Sequence, residues 1–396
     1  GEKYGGPGGD GRAEPSPGER LSVGTCDVGI CALCGSSDDK DSTLDSTPAM
    51  HCQPGSAFKT CAYRAAIASK KATNATLLLD APISVAVNGN ETWQPHNYDD
   101  KYRGRVTVRE AFEHSLNVPT VRLSEDIGVA KVVNVAEKFG FDEHFARIPA
   151  LPLGVTEVSM RELTAAYTPF PNLGIRVEPF LLREVRDRRG KTLYAHELEQ
   201  KRVAGADTTY ILHTLLRGVV QRGTAARLKR YGLAYVAGKT GTTSDYRDAW
   251  FVGYTSDMVT SVWVGFDHGA PLRLSSGEAA IPIWGTYMSA IPHLRGEPRP
   301  PKGVTFRDID PETGMLWQDG CPGPIREVFL NGTAPTHKCP AGFFGNIVRH
   351  VFFDRDNFDE PAAITFEQFR KWANDVDRSR QEVEGVLGRL KRVFGH

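Results

Sequence analysis

Tyr235-Val236-Ala237-Gly238-Lys239-Thr240, then residues 249–255 and 258–266, are three β-rich segments in close succession, separated by turn residues. The link between the last two, Ser256-Asp257, is short enough for a hairpin. Upstream of them the period changes. Residues 208–220 form an apolar stretch of helical length. Ala130, Val132, Val133, Val135, Ala136 and Phe139 fall on one amphipathic helix, which Gly140 can end. Phe58, Tyr63, Ala65, Ala66 and Ile67 predict another helix; Val108, Phe112, Val121 and Leu123 mark a helical region interrupted near Pro119. Helices first, an antiparallel set later and no regular β-α alternation predict an α+β fold rather than a doubly wound sheet.

The flanks read differently. Gly and Pro crowd residues 1–24, and Ser36-Ser37-Asp38-Asp39-Lys40-Asp41-Ser42-Thr43 is polar without a period. Such composition buries too little apolar surface to offset chain entropy, so residues 1–50 are expected to be irregular or disordered. The main domain is expected over 51–300, with mixed, Pro-rich character in 271–301. Short strands and turns should extend it over 301–340. Residues 341–396 should form a helical tail, since Phe366, Phe369, Trp372, Val376, Val383, Leu387, Leu390 and Phe394 recur mostly every three or four positions.

Lys+Arg and Asp+Glu number 48 each, so the net charge is zero, which argues against a nucleic-acid partner. No apolar run approaches the ~20 residues of a membrane span. The early Cys26, Cys31 and Cys34, with His51 and Cys52, could suggest a metal site. They offer one tight pair where structural zinc usually has two, so neither metal nor cofactor is expected. Cys321 and Cys339 sit in similar Cys-Pro contexts of one loop-rich segment and could close a disulfide in an oxidising compartment.

Three short motifs carry chemistry. Ser56-Ala57-Phe58-Lys59 puts a hydroxyl and an amine on one helix face, after a Gln53-Pro54-Gly55 turn that leaves Ser56 at the helix start. A desolvated, neutral Lys59 could take the serine proton, and helix N–H groups favour the developing anion. Ser37-Asp38-Asp39-Lys40 has the same spacing, but its acidic neighbours would keep the lysine charged. Ser115-Leu116-Asn117 offers a proton-relaying hydroxyl and a carboxamide that can hold a substrate carbonyl. Lys239-Thr240-Gly241, with Thr242 and Thr243 after it, joins a cation and hydroxyls to a strand that an extended peptide could pair with.

The order Ser-x-x-Lys, Ser-x-Asn, Lys-Thr-Gly is that of penicillin-binding proteins and β-lactamases. The longer runs extend the likeness. Trp93-Gln94-Pro95-His96-Asn97-Tyr98-Asp99 and Gly104-Arg105-Val106-Thr107-Val108-Arg109-Glu110-Ala111 lead into Ser115-Leu116-Asn117-Val118-Pro119. Ala237-Gly238-Lys239-Thr240-Gly241-Thr242-Thr243 leads into Asp248-Ala249-Trp250-Phe251-Val252-Gly253-Tyr254. Over about residues 53–340 the chain resembles the transpeptidase domain of class A, bifunctional penicillin-binding proteins. That resemblance implies an antiparallel sheet flanked by helices with an all-helical lobe. It implies a D,D-transpeptidase that cross-links peptidoglycan stem peptides ending in D-Ala-D-Ala and that β-lactam antibiotics acylate. Ser56 would be the nucleophile and Lys59 its base, with Ser115 and Asn117 assisting. Lys239, Thr240, Gly241 and Thr242 would bind substrate. The backbone N–H groups of Ser56 and Thr242 would form the oxyanion hole.

The family normally carries a membrane span and a glycosyltransferase domain before this one. Neither is seen in these residues, so membrane attachment is expected only through an N-terminal anchor missing from them. The setting implied is extracytoplasmic, at the periplasmic face of the cell membrane, with other cell-wall synthesis proteins as candidate partners. The family also places strands just before its Ser-x-x-Lys helix, and residues 1–50 show no convincing strand, so a sheet without its leading strands is expected. Two alternatives stay open: a serine β-lactamase or β-lactam sensor of the same fold, and an inactive peptide-binding fragment.

Overall fold

The computed structural model describes residues 19–24, 30–34, 51–88, 91–243, 245–266, 270–294, 296–342 and 353. They fall in one unit, Gly1–Asp356; a second, Asn357–His396, lies outside the described residues. The tail expected over 341–396 therefore falls almost wholly outside them.

Five strands make the central sheet: β1 (Glu19–Gly24), β2 (Ile30–Cys34), β3 (Ala237–Thr242), β4 (Ala249–Tyr254) and β5 (Met258–Val264). Their order is β3-β4-β5-β1-β2, every neighbouring pair antiparallel. β4 and β5 are the expected hairpin, with Trp250 opposite Trp263. β1 lies on the other side of β5, Glu19 opposite Trp263 and Gly24 opposite Met258.

At Glu19–Gly24 and Ile30–Cys34 this corrects the expectation that residues 1–50 are irregular and that the sheet lacks its leading strands; the rest of 1–50 lies outside the described residues. Arg20-Leu21-Ser22-Val23 alternates polar and apolar types, and Ile30-Cys31-Ala32-Leu33-Cys34 is a short apolar run. Both are too brief to show a period among so many Gly, Pro and polar residues. What makes them strands is the hydrogen-bonding edge of β5, more than 200 residues away in sequence.

Among the described residues there are seven α-helices: α1 (Lys59–Ala68), α2 (Val108–Glu113), α3 (Asn117–Ile127), α4 (Val129–Phe139), α5 (Met160–Tyr167), α6 (Ala206–Gln221) and α7 (Ala280–Ser289), of which α5, α6 and α7 pack on the sheet. Gly140 ends α4 at φ +87°, as expected. Pro119 lies in the first turn of α3, where its missing N–H costs nothing, so it opens a helix instead of interrupting one. α7 was not expected. Pro282 likewise falls in its first turn, and that proline made a buried helix look like mixed loop.

Side chains alternate along β5, so Thr260 and Ser261 point to opposite faces. Thr260 Oγ1 donates to Met288 Sδ of α7 at 3.2 Å, and Thr164 Oγ1 of α5 donates to Ser261 Oγ at 2.7 Å. α7 and α5 therefore cover opposite faces of the sheet. α1 packs on α3, α4 and α6, forming the helical lobe on the α5 side, and only Arg64 and Ala68 escape full burial along it.

The extension is a hairpin of β6 (Val304–Ile309) and β7 (Ile325–Leu330), and a Cys321–Cys339 disulfide, which the sequence left open, closes its loops. A buried fork joins it to the main domain. Arg109 of α2 donates to both Glu327 oxygens at 2.5 and 2.6 Å and to Glu113 Oε1 at 2.8 Å. Arg222 donates to Glu113 at 2.6 Å, and Asn74 Nδ2 to Glu327 at 2.9 Å. Glu327 is 1 % exposed, so losing it leaves a guanidinium half-paired in low dielectric.

Glu327→Ala should therefore lower stability by about 3 kcal/mol in urea unfolding, while an isosteric apolar pair in place of both residues should cost much less. Deleting residues 1–34 should expose the flank of β5, lower the melting temperature by several degrees and promote aggregation. An unchanged melting temperature would show that β1 and β2 are dispensable to the sheet.

Candidate active site

The first motif starts with a tight approach. Gly55–Phe58 is one turn of 3₁₀ helix running into α1, in place of the α-helical start expected. Ser56 lies in this turn and Lys59 opens α1, three residues apart, a helical spacing that favours one side for both. Gly55 has φ +51°, and a Cβ there would come 2.9 Å from Thr242 O. A Cβ on Gly241 would come 2.3 Å from Pro54 O. The backbones of the Ser56 turn and β3 thus touch, which only glycine permits. The turn is held further by Trp250 Nε1 donating to Gln53 O at 3.0 Å and Tyr167 Oη donating to Ala57 O at 2.8 Å.

Lys59 is 0 % exposed, and its ammonium is spent on the second motif. Nζ donates to Ser115 O at 2.6 Å, Leu116 O at 3.2 Å, Asn117 Oδ1 at 2.7 Å and Ser115 Oγ at 3.4 Å. Lys239 Nζ, equally buried, reaches the same Ser115 Oγ at 2.8 Å from the opposite side. Two lysine amines thus converge on one hydroxyl, and the partners named are carbonyls, a hydroxyl and a carboxamide. Burial pulls Lys239 down to about 7. Burial, and then the charge of Lys239, hold Lys59 well below the ordinary lysine range.

Ser115 adopts φ +57°, a left-handed conformation rare outside glycine. It turns the chain between α2 and α3 and directs its carbonyl at Lys59. Such strain persists only where surroundings enforce it. Here they do: Leu116 N–H donates to Ala111 O at 2.9 Å, and Asn97 Oδ1 accepts from Asn117 N–H at 2.8 Å and Val118 N–H at 3.3 Å. Asn97 therefore caps α3 from outside the helix, satisfying donors that Leu116 cannot. Asn97 Nδ2 is anchored in turn on Asp80 Oδ1 at 2.7 Å and Lys101 O at 2.8 Å. Asn117 Nδ2 donates to His96 O at 2.7 Å, which fixes its Oδ1 toward Lys59.

β3 is an edge strand, and alternation decides what its motif does. Lys239 points to the lobe. Thr240 and Thr242 point to the other face, where Thr240 Oγ1 shares a 2.7 Å hydrogen bond with Thr224 and Thr242 Oγ1 one of 2.6 Å with Ser276. Ser276 Oγ also donates to Gly241 O at 2.6 Å.

The structure thus brings Lys59, Ser115, Asn117 and Lys239 into one cluster, and lays Gly241 and Thr242 against the turn that carries Ser56 just before Lys59. Ser37 lies outside the described residues. Sequence reasoning missed Asp80, Thr224 and Ser276, which belong to no motif, and the contact of Tyr98 with Tyr246 at 5.4 Å between ring centroids. Asn97 was quoted only as part of a likeness; a buried asparagine capping a distant helix leaves no local sequence pattern.

The depressed lysines have a measurable consequence. Between pH about 7 and the unfolded-chain lysine value near 10.4, the unfolded state binds a proton that folded Lys239 does not. Stability on this account falls as pH drops from about 10 to 7. Lys239→Met should therefore raise the melting temperature at pH 7 and do so progressively less toward pH 10. An equal change at both pH values would show that charge burial is not what the side chain costs the fold.

Residues 36–288 match the family described as the penicillin binding protein transpeptidase domain, and residues 300–341 match the penicillin-binding protein 1A C-terminal domain. Penicillin-binding protein 1A of Aquifex aeolicus is 36% identical over 292 residues, covering 72% of this chain and 40% of that protein. The Pseudomonas aeruginosa protein of the same name is 31% identical over 385 residues, covering 82% and 46%. The chain thus spans less than half the length of these curated relatives. Among solved structures, penicillin-binding protein 1A from Haemophilus influenzae superposes with a TM-score of 0.76 at 25% identity, covering 82% of this chain and 54% of that one. PonA1 of Mycobacterium tuberculosis, in complex with penicillin V, shares the fold with a TM-score of 0.63 at 21% identity, over 74% and 83% of the two chains. With residues 36–288 matched, most of its length, this chain belongs to the penicillin-binding protein transpeptidase family.

Proposed function

We propose that this chain is a serine D,D-transpeptidase that cross-links peptidoglycan stem peptides. The observation that carries the reading is the pair of desolvated lysines meeting on Ser115 Oγ, with Lys59 three residues after Ser56 in the chain. Neutral Lys59 takes the proton of Ser56, whose Oγ attacks the carbonyl of the D-alanyl-D-alanine bond. The backbone N–H groups of Ser56 and Thr242 receive the oxyanion, a preorganised pair of the kind that lowers such barriers by several kcal/mol. Ser115 relays a proton to the departing D-alanine amine, and Lys239 keeps the relay polarised. An amine of a second stem peptide then displaces Ser56 from the acyl-enzyme. Each step moves a proton or an acyl group between groups present in the chain and its substrates.

Asn117, fixed by His96 and Lys59, holds the peptide through its carboxamide. Lys239, Thr240 and Thr242 bind the terminal carboxylate, while Gly241 keeps β3 open to close approach. A β-lactam mimics the D-Ala-D-Ala bond and acylates the same serine. The substrate places the activity on the extracytoplasmic side of the cell membrane, where cell-wall synthesis proteins would be its partners. No helix among the described residues is long and apolar enough to cross a membrane.

Intact-mass measurement after incubation with a penicillin tests this directly. The unmutated chain should gain one penicilloyl group and keep it. Ser56→Ala should abolish the adduct, and Ser37→Ala should leave it intact, because the neighbouring Asp38, Asp39 and Asp41 disfavour a neutral Lys40. An adduct that vanishes within seconds would favour a β-lactamase. Absence of any adduct on the unmutated chain would favour a non-catalytic peptide-binding fragment.

A further inference from the structure

Thr240 is one residue of the Lys-Thr-Gly strand, yet what its hydroxyl can do is set from elsewhere. Thr224 Oγ1 lies 2.7 Å from Thr240 Oγ1 and either oxygen could donate. Thr224 stands in the turn between α6 and the 3₁₀ helix Ala226–Tyr231, outside all three motifs. That turn is pressed against the end of α2. Thr224 N–H donates to Glu113 O at 3.1 Å, and a Cβ on Gly223 would come 2.0 Å from that same oxygen. Glu113 is itself held by Arg109 and Arg222. Its backbone lies two residues before Ser115. The turn therefore spans from the helix that presents the second motif to the strand that presents the third.

A hydroxyl has one proton and two lone pairs. To bind a carboxylate, Thr240 must give its proton to the ligand, and its oxygen then needs a donor of its own. Thr224 is positioned to be that donor, and a chain of two hydroxyls polarised in one direction strengthens the outer bond. We infer that Thr224 is a positioning residue that makes Thr240 a proton donor toward the terminal carboxylate of the substrate. The inference rests on the reading of Thr240 as a carboxylate ligand. It assigns to Thr224 control over binding of the charged terminus and no part in acyl transfer. Thr224 is exposed, so its hydroxyl can be removed without opening the core.

The test compares Thr224→Val, which removes only the hydroxyl, with Thr224→Ser, which keeps it, using the whole chain. Two probes are benzylpenicillin and its methyl ester, in which the carboxylate is masked. For each, the dissociation constant of the pre-acylation complex and the first-order acylation rate constant are resolved by stopped flow. Thr224→Val should raise the dissociation constant for benzylpenicillin about three- to tenfold, the worth of one hydrogen bond, with the acylation rate constant unchanged. Thr224→Ser should restore the original value. Toward the ester, Thr224→Val and the unmutated chain should be equal. A Thr224→Val protein matching the unmutated chain with benzylpenicillin overturns the inference. So does equal weakening toward acid and ester, which would mark a merely structural role. An unmutated chain that reacts with neither probe overturns the proposed function, and the inference with it.

Discussion

Two buried lysine amines sharing one serine hydroxyl is the constraint around which this molecule is arranged. Lys59 and Lys239 approach Ser115 Oγ from two different elements, a helix of the lobe and the edge strand of the sheet. Neither could keep a full charge there cheaply, because their partners are neutral groups. The fold tolerates this only because the surroundings are rigid: α1 is buried along its length, and Ser115 is pinned in a left-handed conformation. Local destabilisation of this kind is a common mark of a reacting centre.

The rest of the architecture follows as support. Close backbone contact at Gly55 and Gly241 lets the Ser56 turn lie against β3. Trp250 and Tyr167 tie that turn to the sheet and to α5. Asp80 and Asn97 carry the same role for Asn117, using a buried carboxyl whose pKa is raised, chiefly by burial. The extension takes part through Glu327 and Arg109, so a region matched to a separate C-terminal domain family is stitched by a buried ion pair to the helix that presents Ser115.

The likeness to full-length relatives and the local geometry bear on different questions. The matches establish the family and the fold of the part they cover. The geometry shows which candidate side chains share hydrogen bonds. It also adds groups that no motif contains, such as Thr224 and Ser276 on the hydroxyls of Thr240 and Thr242.

Much of this was legible in the residues alone. Period-two and helical patterns located α1, α4, α6 and the β3–β5 strands within a few positions, because each is long enough to carry its own apolar rhythm. Local spacing also marked Ser56 with Lys59, Ser115 with Asn117, and Lys239 with Thr240, Gly241 and Thr242 as candidates. The strands β1 and β2 were not legible, since their hydrogen-bond partners lie far along the chain and their own residues are few. Nor was α7, whose early proline masked it. By itself the sequence determined which side chains could do chemistry and the class of fold that could hold them. Only the tertiary structure decided that Lys59 and Lys239 meet on one oxygen, that Asn97 and Thr224 orient the motifs, and that residues near the start of the chain complete the sheet. Those facts depend on contacts between distant segments and on shared desolvation, which no local pattern of residues can encode.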